Sequence, residues 1–199
     1  MKLGAILLHG STLANCGGGG IQLREGRIAL GVANSTISGT GRYAIESGRI
    51  GFDSGTDYGH PGISISASQL SGNYLGSIYM NSGGSLGIGD SSLSGGARAI
   101  TIEGLDKNYY IVVNRNSLAG NTEAVSLAGD ASSVFGFGNG TYAGENVFSG
   151  GATLVRISVA AGATVHAVGN TWRPNVQGAD ASGHYGTALC GGASPCEVT

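Results

Sequence analysis

Charge is scarce in this chain. Charged residues make up 11% of its 199, and ten lysines and arginines against twelve aspartates and glutamates leave a net charge of −2. A nucleic-acid binder carries a basic footprint, and this sequence has none. Proline occurs three times and glycine follows no Gly-X-Y period, which excludes a collagen. No apolar run approaches the roughly 18 residues that a membrane span needs. The opening Met1-Lys2-Leu3-Gly4-Ala5-Ile6-Leu7-Leu8 has one positive charge and then an apolar stretch, but His9 and Gly10 cut it short of the usual ~7–15 residues of a signal segment. Asn15 also stands where a lipoprotein box over Leu13-Ala14-Asn15-Cys16 requires a very small residue. The segment therefore reads as the start of the fold. Of the three cysteines, Cys190 and Cys196 enclose a short Gly-rich stretch. That stretch fits a disulfide in an oxidising compartment and two reduced thiols in a tail equally well. Cys16 is left unpaired.

What the chain has in excess is glycine, 39 residues, within a 41% hydrophobic composition whose Ile, Val and Leu are too regularly placed for a disordered tail. The regularity is a repeat. Leu13, Ile37, Leu70, Leu93, Leu118, Phe148 and Trp172 recur at intervals of 23–33 residues. Two places before each stands Ser11, Ser35, Ser68, Ser91, Asn116, Asn146 or Asn170. Two places after five of them stands Gly39, Gly72, Gly95, Gly120 or Gly150. Apolar-x-apolar triplets follow: Ile21-Gln22-Leu23, the partial Ile45-Glu46-Ser47, Ile78-Tyr79-Met80, Ile100-Thr101-Ile102, Val125-Ser126-Leu127 and Val155-Arg156-Ile157. A second set comprises Ile28-Ala29-Leu30, Ile50-Gly51-Phe52, Leu86-Gly87-Ile88, Ile111-Val112-Val113, Phe135-Gly136-Phe137 and Val165-His166-Ala167.

Alternation at a period of two means short strands with one apolar face; a helix would need spacings of three and four. A repeat of about 24 residues cannot bury its own apolar face and must stack on its neighbours. The expected fold is all-β: a right-handed, single-stranded parallel β-helix (solenoid) of about six to seven coils, with three short strands per coil. Residues 1–10 form a partial coil or cap, 11–176 the β-helix and 177–199 a C-terminal cap or tail. The two long intervals place insertions at 53–62 and 138–145. Both are expected after the third strand of their coil, and so on one side of the triangle.

The repeat resembles the right-handed parallel β-helix, pectate-lyase-like superfamily over about residues 11–176. The closing Gly169-Asn170-Thr171-Trp172-Arg173-Pro174-Asn175-Val176-Gln177-Gly178-Ala179-Asp180 resembles the last coil of small bacterial β-helix repeat proteins, many of them exported. The resemblance implies the fold and an extracellular or cell-envelope location in a bacterium, but no single activity.

The Ser/Asn ladder reads as structural, because buried polar groups need partners. The outward row Thr12, Thr36, Gln69, Ser92, Ser117, Val147, Thr171 invites comparison with ice-binding arrays, yet Gln69 and Val147 interrupt it. The middle-strand column Gln22, Glu46, Tyr79, Thr101, Ser126, Arg156 is the most chemically mixed. Tyr79, Thr101, Ser126 and Arg156 along it form a groove suited to a glycan. The third-strand column Ala29, Gly51, Gly87, Val112, Gly136, His166 is nearly all small, a smooth contact surface for another chain. In the first insertion, Asp53, Asp57 and His60 gather two carboxylates and an imidazole on a loop, where function tends to sit. They are candidate ligands for a divalent metal, calcium or zinc, whose bound water would attack an ester or phosphate.

Two functions follow. The first is a non-catalytic exported module binding a glycan (polysaccharide), an envelope component or another copy of itself, through the exposed coil ends or the Gly/Ala-rich face. The second is a metal-assisted hydrolase or polysaccharide-active enzyme such as a lyase. Its site would lie beside the two insertions, with Asp53, Asp57 and His60 as ligands or acid/base groups and His166 or Arg156 as helpers.

Overall fold

A computed structural model describes residues 4–24, 28–48, 62–81, 84–105, 109–129, 133–138, 143–150, 153–158, 164–173 and 197–198. Among them every regular element is a strand. The anchor residues lie in a seven-stranded first sheet: Thr12–Ala14, Thr36–Ser38, Gln69–Ser71, Ser92–Ser94, Ser117–Ala119, Val147–Ser149 and Thr171–Arg173. A six-stranded middle sheet runs from Ile21–Leu23 through Tyr43–Ser47, Gly76–Met80, Arg98–Leu105 and Glu123–Gly129 to Thr153–Ser158. The third sheet holds Gly4–His9, Ile28–Ala33, Gly62–Ser66, Gly84–Gly89 and Tyr109–Asn114. It is carried on, through the Val113 N–H to Gly136 carbonyl bond of 2.6 Å, by Ser133–Phe135, Thr164–His166 and Glu197–Val198. Within each sheet, strands pair in parallel with their equivalents one coil on. The chain is therefore a parallel β-helix of about six coils.

The shaft is one apolar cluster. Ile37, Leu70, Leu93, Leu118 and Phe148 are fully buried, as expected when each coil seals its neighbours. Leu13, in the first coil, is only partly buried. The side chain of Trp172 lies outside the described residues. The glycines two places past the anchors earn their position by conformation: Gly39, Gly72, Gly95, Gly120 and Gly150 have φ of 63°, 61°, 70°, 65° and 79°, where an L side chain meets a steric penalty. Asn15, at φ 56°, does the same work in the first coil.

The ladder forms as one buried wire. Each rung's backbone N–H donates to the side-chain oxygen of the next: Ser11 to Ser35 and Ser35 to Ser68 at 3.1 Å, Ser68 to Ser91 at 3.1 Å, Ser91 to Asn116 at 2.9 Å. Asn116 to Asn146 and Asn146 to Asn170 follow at 3.0 Å. The change from serine to asparagine adds a donor: the Asn116 and Asn146 amides also reach back to the Ile88 and Val113 carbonyls at 3.0 and 2.7 Å.

Two expectations are corrected. The strand that pairs between Ile28–Ala33 and Gly84–Gly89 in the third sheet is Gly62–Ser66, where Ile50-Gly51-Phe52 was expected; those three residues lie outside the described ones. Ile63 and Ile65 are buried and pair in register with Leu30 and Val32, a flush alternation that fills the shaft. In chain order the first insertion therefore falls between the strands Tyr43–Ser47 and Gly62–Ser66, before the third strand rather than after it. The second follows Phe137 and precedes Val147–Ser149, at the corner between the third and first sheets. Second, Leu30 and Val32 are the inward pair of the first coil, so its outward residue is Gly31. The column runs Leu7, Gly31, Ser64, Gly87, Val112, and Ala29 stands two residues away from it.

Candidate functional site

The middle sheet holds the mixed column in the expected register: Gln22 opposite Glu46, Glu46 opposite Tyr79, then Thr101, Ser126 and Arg156. Tyr79 and Ser126 are half-buried and Arg156 is exposed. Thr101 departs from the expected groove, being only 1% exposed, with its hydroxyl sealed from any hydrogen-bond partner. Glu46 and Arg156 are four coil steps apart, about 19 Å at the strand spacing, too far to serve one reacting centre. Glu46 is instead paired with Arg42 at 3.0 Å.

A second outward column covers this face: Tyr43, Gly76, Arg98, Glu123. At Gly76 a Cβ would sit 1.9 Å from the Arg98 carbonyl oxygen and 3.1 Å from the Tyr43 ring. Only glycine leaves the space in which Tyr43 stacks on Tyr79, with centroids 5.1 Å apart. Glu123, 7% exposed, accepts from Arg98 Nε at 2.9 Å and from Arg156 Nε at 2.7 Å. Burial works to raise its carboxyl pKa, but the Arg156 and Arg98 hydrogen bonds win and hold it below the usual range. The Tyr79 hydroxyl donates to Glu103 Oε2 at 2.7 Å. Burial first, and that carboxylate second, push its pKa up to about 12. The face is thus polar, nearly charge-balanced and held rigid, with a stacked aromatic pair and two guanidinium edges beside the Ser126 hydroxyl.

Asp53, Asp57 and His60 lie outside the described residues. Gly62, where that loop rejoins the third sheet, belongs to the second coil. His166, half-buried, pairs with Phe135 in the continuation of the same sheet, four coil steps further on, about 19 Å. Arg156 belongs to the middle sheet and His166 to the third. Among the described residues no three histidine, cysteine or carboxylate side chains gather as a metal site.

Three features escaped the sequence. The triad Arg98–Glu123–Arg156 joins residues 25 and 33 apart, and no local motif marks it. The Tyr43–Tyr79 stack depends on the empty place at Gly76. The third is a second internal ladder, three places past the anchors. The Thr40 N–H donates to Asn73 Oδ1 at 3.2 Å, and the Gly96 N–H to Asn121 Oδ1 at 3.1 Å. The Asn73 and Asn121 amides reach the Ile37 and Leu93 carbonyls. Its signal was available in the spacing, as Gly-Thr or Gly-Asn after the anchor. Cys16, a free thiol, occupies this position in the first coil. Compared with protein-family models, with curated proteins and with solved structures, the chain matches none.

Proposed function

We propose that the chain is a non-catalytic β-helix module that presents a rigid flank to a glycan. The observation that supports this reading is the middle-sheet outer face. Tyr79, Ser126 and Arg156 recur there on coils of one column, while the charged groups around them are consumed in mutual pairs rather than aimed at one point. Such a surface offers ring and hydroxyl contacts without a poised acid or base. The regular stack keeps it pre-organised, so little ordering cost falls on binding.

The exported, bacterial setting belongs to the same proposal, resting on the resemblance of the repeat and of the 169–180 segment. Affinity electrophoresis through gels cast with polysaccharides, together with a glycan array, tests the module. Retardation weakened at least tenfold by Ser126→Trp is the expected result. No retardation in any gel, no array binding and a monomer by light scattering would remove it.

A further inference from the structure

A groove runs along the opposite edge of the first sheet, at the corner where the third sheet turns into it. It is shallow and open to solvent, with a volume of about 960 Å³. It spans five coils, from Asn34–Thr36 through Ala67–Gln69, Asp90–Ser92 and Arg115–Ser117 to Glu145–Val147, about 19 Å along the axis at the strand spacing.

Its rim is built at a conformational cost. One residue per coil turns this corner at positive φ. The outermost coils use glycine, Gly10 at 57° and Gly169 at 77°, but the five coils of the groove use Asn34, Ala67, Asp90, Arg115 and Glu145, at 47–55°. Glycine would relieve the strain at every one. Four of the five are polar side chains standing along the groove, and retained strain of this kind points to use of the side chain. Thr36, Gln69, Ser92 and Ser117 stand on the first-sheet side. Together with Asn34 they offer both donors and acceptors.

The charges select among ligands. Arg115 is held bidentately by Asp90 at 2.7 and 2.9 Å, and Glu145 in the next coil acts on the same guanidinium. One positive charge between two negative ones leaves the groove with a surplus carboxylate. That surplus disfavours an acidic polymer, whereas a chain of hydroxyls without carboxylates finds donors and acceptors at Asn34, Gln69, Ser92 and Ser117, with Ala67 and Val147 supplying apolar wall between them. Among the described residues no aromatic ring lines the groove, so recognition by them is by hydrogen bonding and not by stacking.

We infer that this corner groove is a second, separate binding site for an extended, uncharged glycan lying parallel to the solenoid axis. The inference rests on the module reading and adds a location and a charge class to it. The test uses the full chain in affinity gels cast with a neutral mixed-linkage β-glucan or with polygalacturonate. The variants are Ser92→Trp and Gln69→Ala in the groove, and Ser64→Trp on the third sheet as a bulk control. Circular dichroism and a thermal melt check the fold. The groove predicts retardation by the neutral glucan, reduced at least tenfold by Ser92→Trp and several-fold by Gln69→Ala, and unchanged by Ser64→Trp. Neutral-glucan retardation that survives both groove variants would overturn the groove and leave the module standing, as would retardation by polygalacturonate alone. No retardation of the unaltered chain by either polymer, with an empty glycan array, would overturn both.

Discussion

The buried Ser/Asn wire and the outer face of the middle sheet are both polar, and both contain ladders of side chains repeated coil by coil. They differ in what satisfies them. In the wire, each side chain answers a backbone amide of the neighbouring coil, so its partner is supplied by the repeat itself. On the outer face, the paired side chains answer other side chains: Glu123 the two arginines, Tyr79 the Glu103 carboxylate, while the Thr101 hydroxyl has no partner. The wire is therefore obligatory and monotonous, while the face varies from coil to coil. Monotony is the mark of structure here, and variation at fixed register marks the surface free to acquire a ligand.

The wire and its adjoining shaft should carry the larger energies. Leu118→Ala removes a fully buried anchor and is expected to cost about 2–5 kcal/mol, read as a fall in melting temperature or denaturant midpoint. Thr36→Ala, on the outward side of the same sheet, should stay within about 0.5 kcal/mol. Equal shifts in the two would erase the distinction between inside and outside.

Asn116→Leu strips the partner from the buried Ser91 N–H and from the Ile88 carbonyl. Each orphaned group costs about 1–3 kcal/mol, so the variant should lose at least that much, whereas Asn116→Ser, which keeps the acceptor found in the first four rungs, should lose less. Chemical denaturation of the pair decides this. An Asn116→Leu variant as stable as the parent would mean that the wire is ornamental.

On the outer face the effects should be smaller and of mixed sign. Thr101→Val removes a sealed hydroxyl that has no partner while keeping the shape, and should raise stability by about 1 kcal/mol. A loss of that size would show that the hydroxyl is used.

Glu123→Gln is expected to matter least at neutral pH, because its arginine partners are half-exposed and such pairs are worth about 1 kcal/mol or less. Its signature is in acid. The Glu123 pKa is depressed in the folded state, so at pH values around the ordinary glutamate pKa of about 4.3 the unfolded chain binds more protons than the folded one. The stabilisation is complete above that pH and is lost as the pH falls through the folded value. Stability measured from pH 7 down to pH 3 should decline less steeply in Glu123→Gln than in the parent; parallel curves would sever the triad from acid stability.

Much of the architecture could be read from residue spacing. The anchors, the first ladder, the positive-φ glycines and the mixed outward column all fell where the period placed them, because neighbouring coils impose the same environment at equivalent positions. The reading slipped where the period was broken. Across the long interval of the second coil, Ile50-Gly51-Phe52 and Gly62-Ile63-Ser64-Ile65-Ser66 offer competing alternations. Only pairing with Leu30 and Val32 selects the latter. That choice puts the first insertion before the third strand of its coil rather than after it.

By itself the sequence determined that this chain stacks: apolar pegs at one repeat spacing, each flanked by a hydrogen-bonding residue and followed by a turn, leave no other way to bury the pegs. Tertiary structure alone decided the surface. Arg98, Glu123 and Arg156 meet, Tyr43 lies on Tyr79, Thr101 is sealed and a groove opens beside Asp90 and Arg115, because lateral neighbours on a solenoid come from residues some 24–36 positions apart. The local chain carries no record of which side chain it will stand beside.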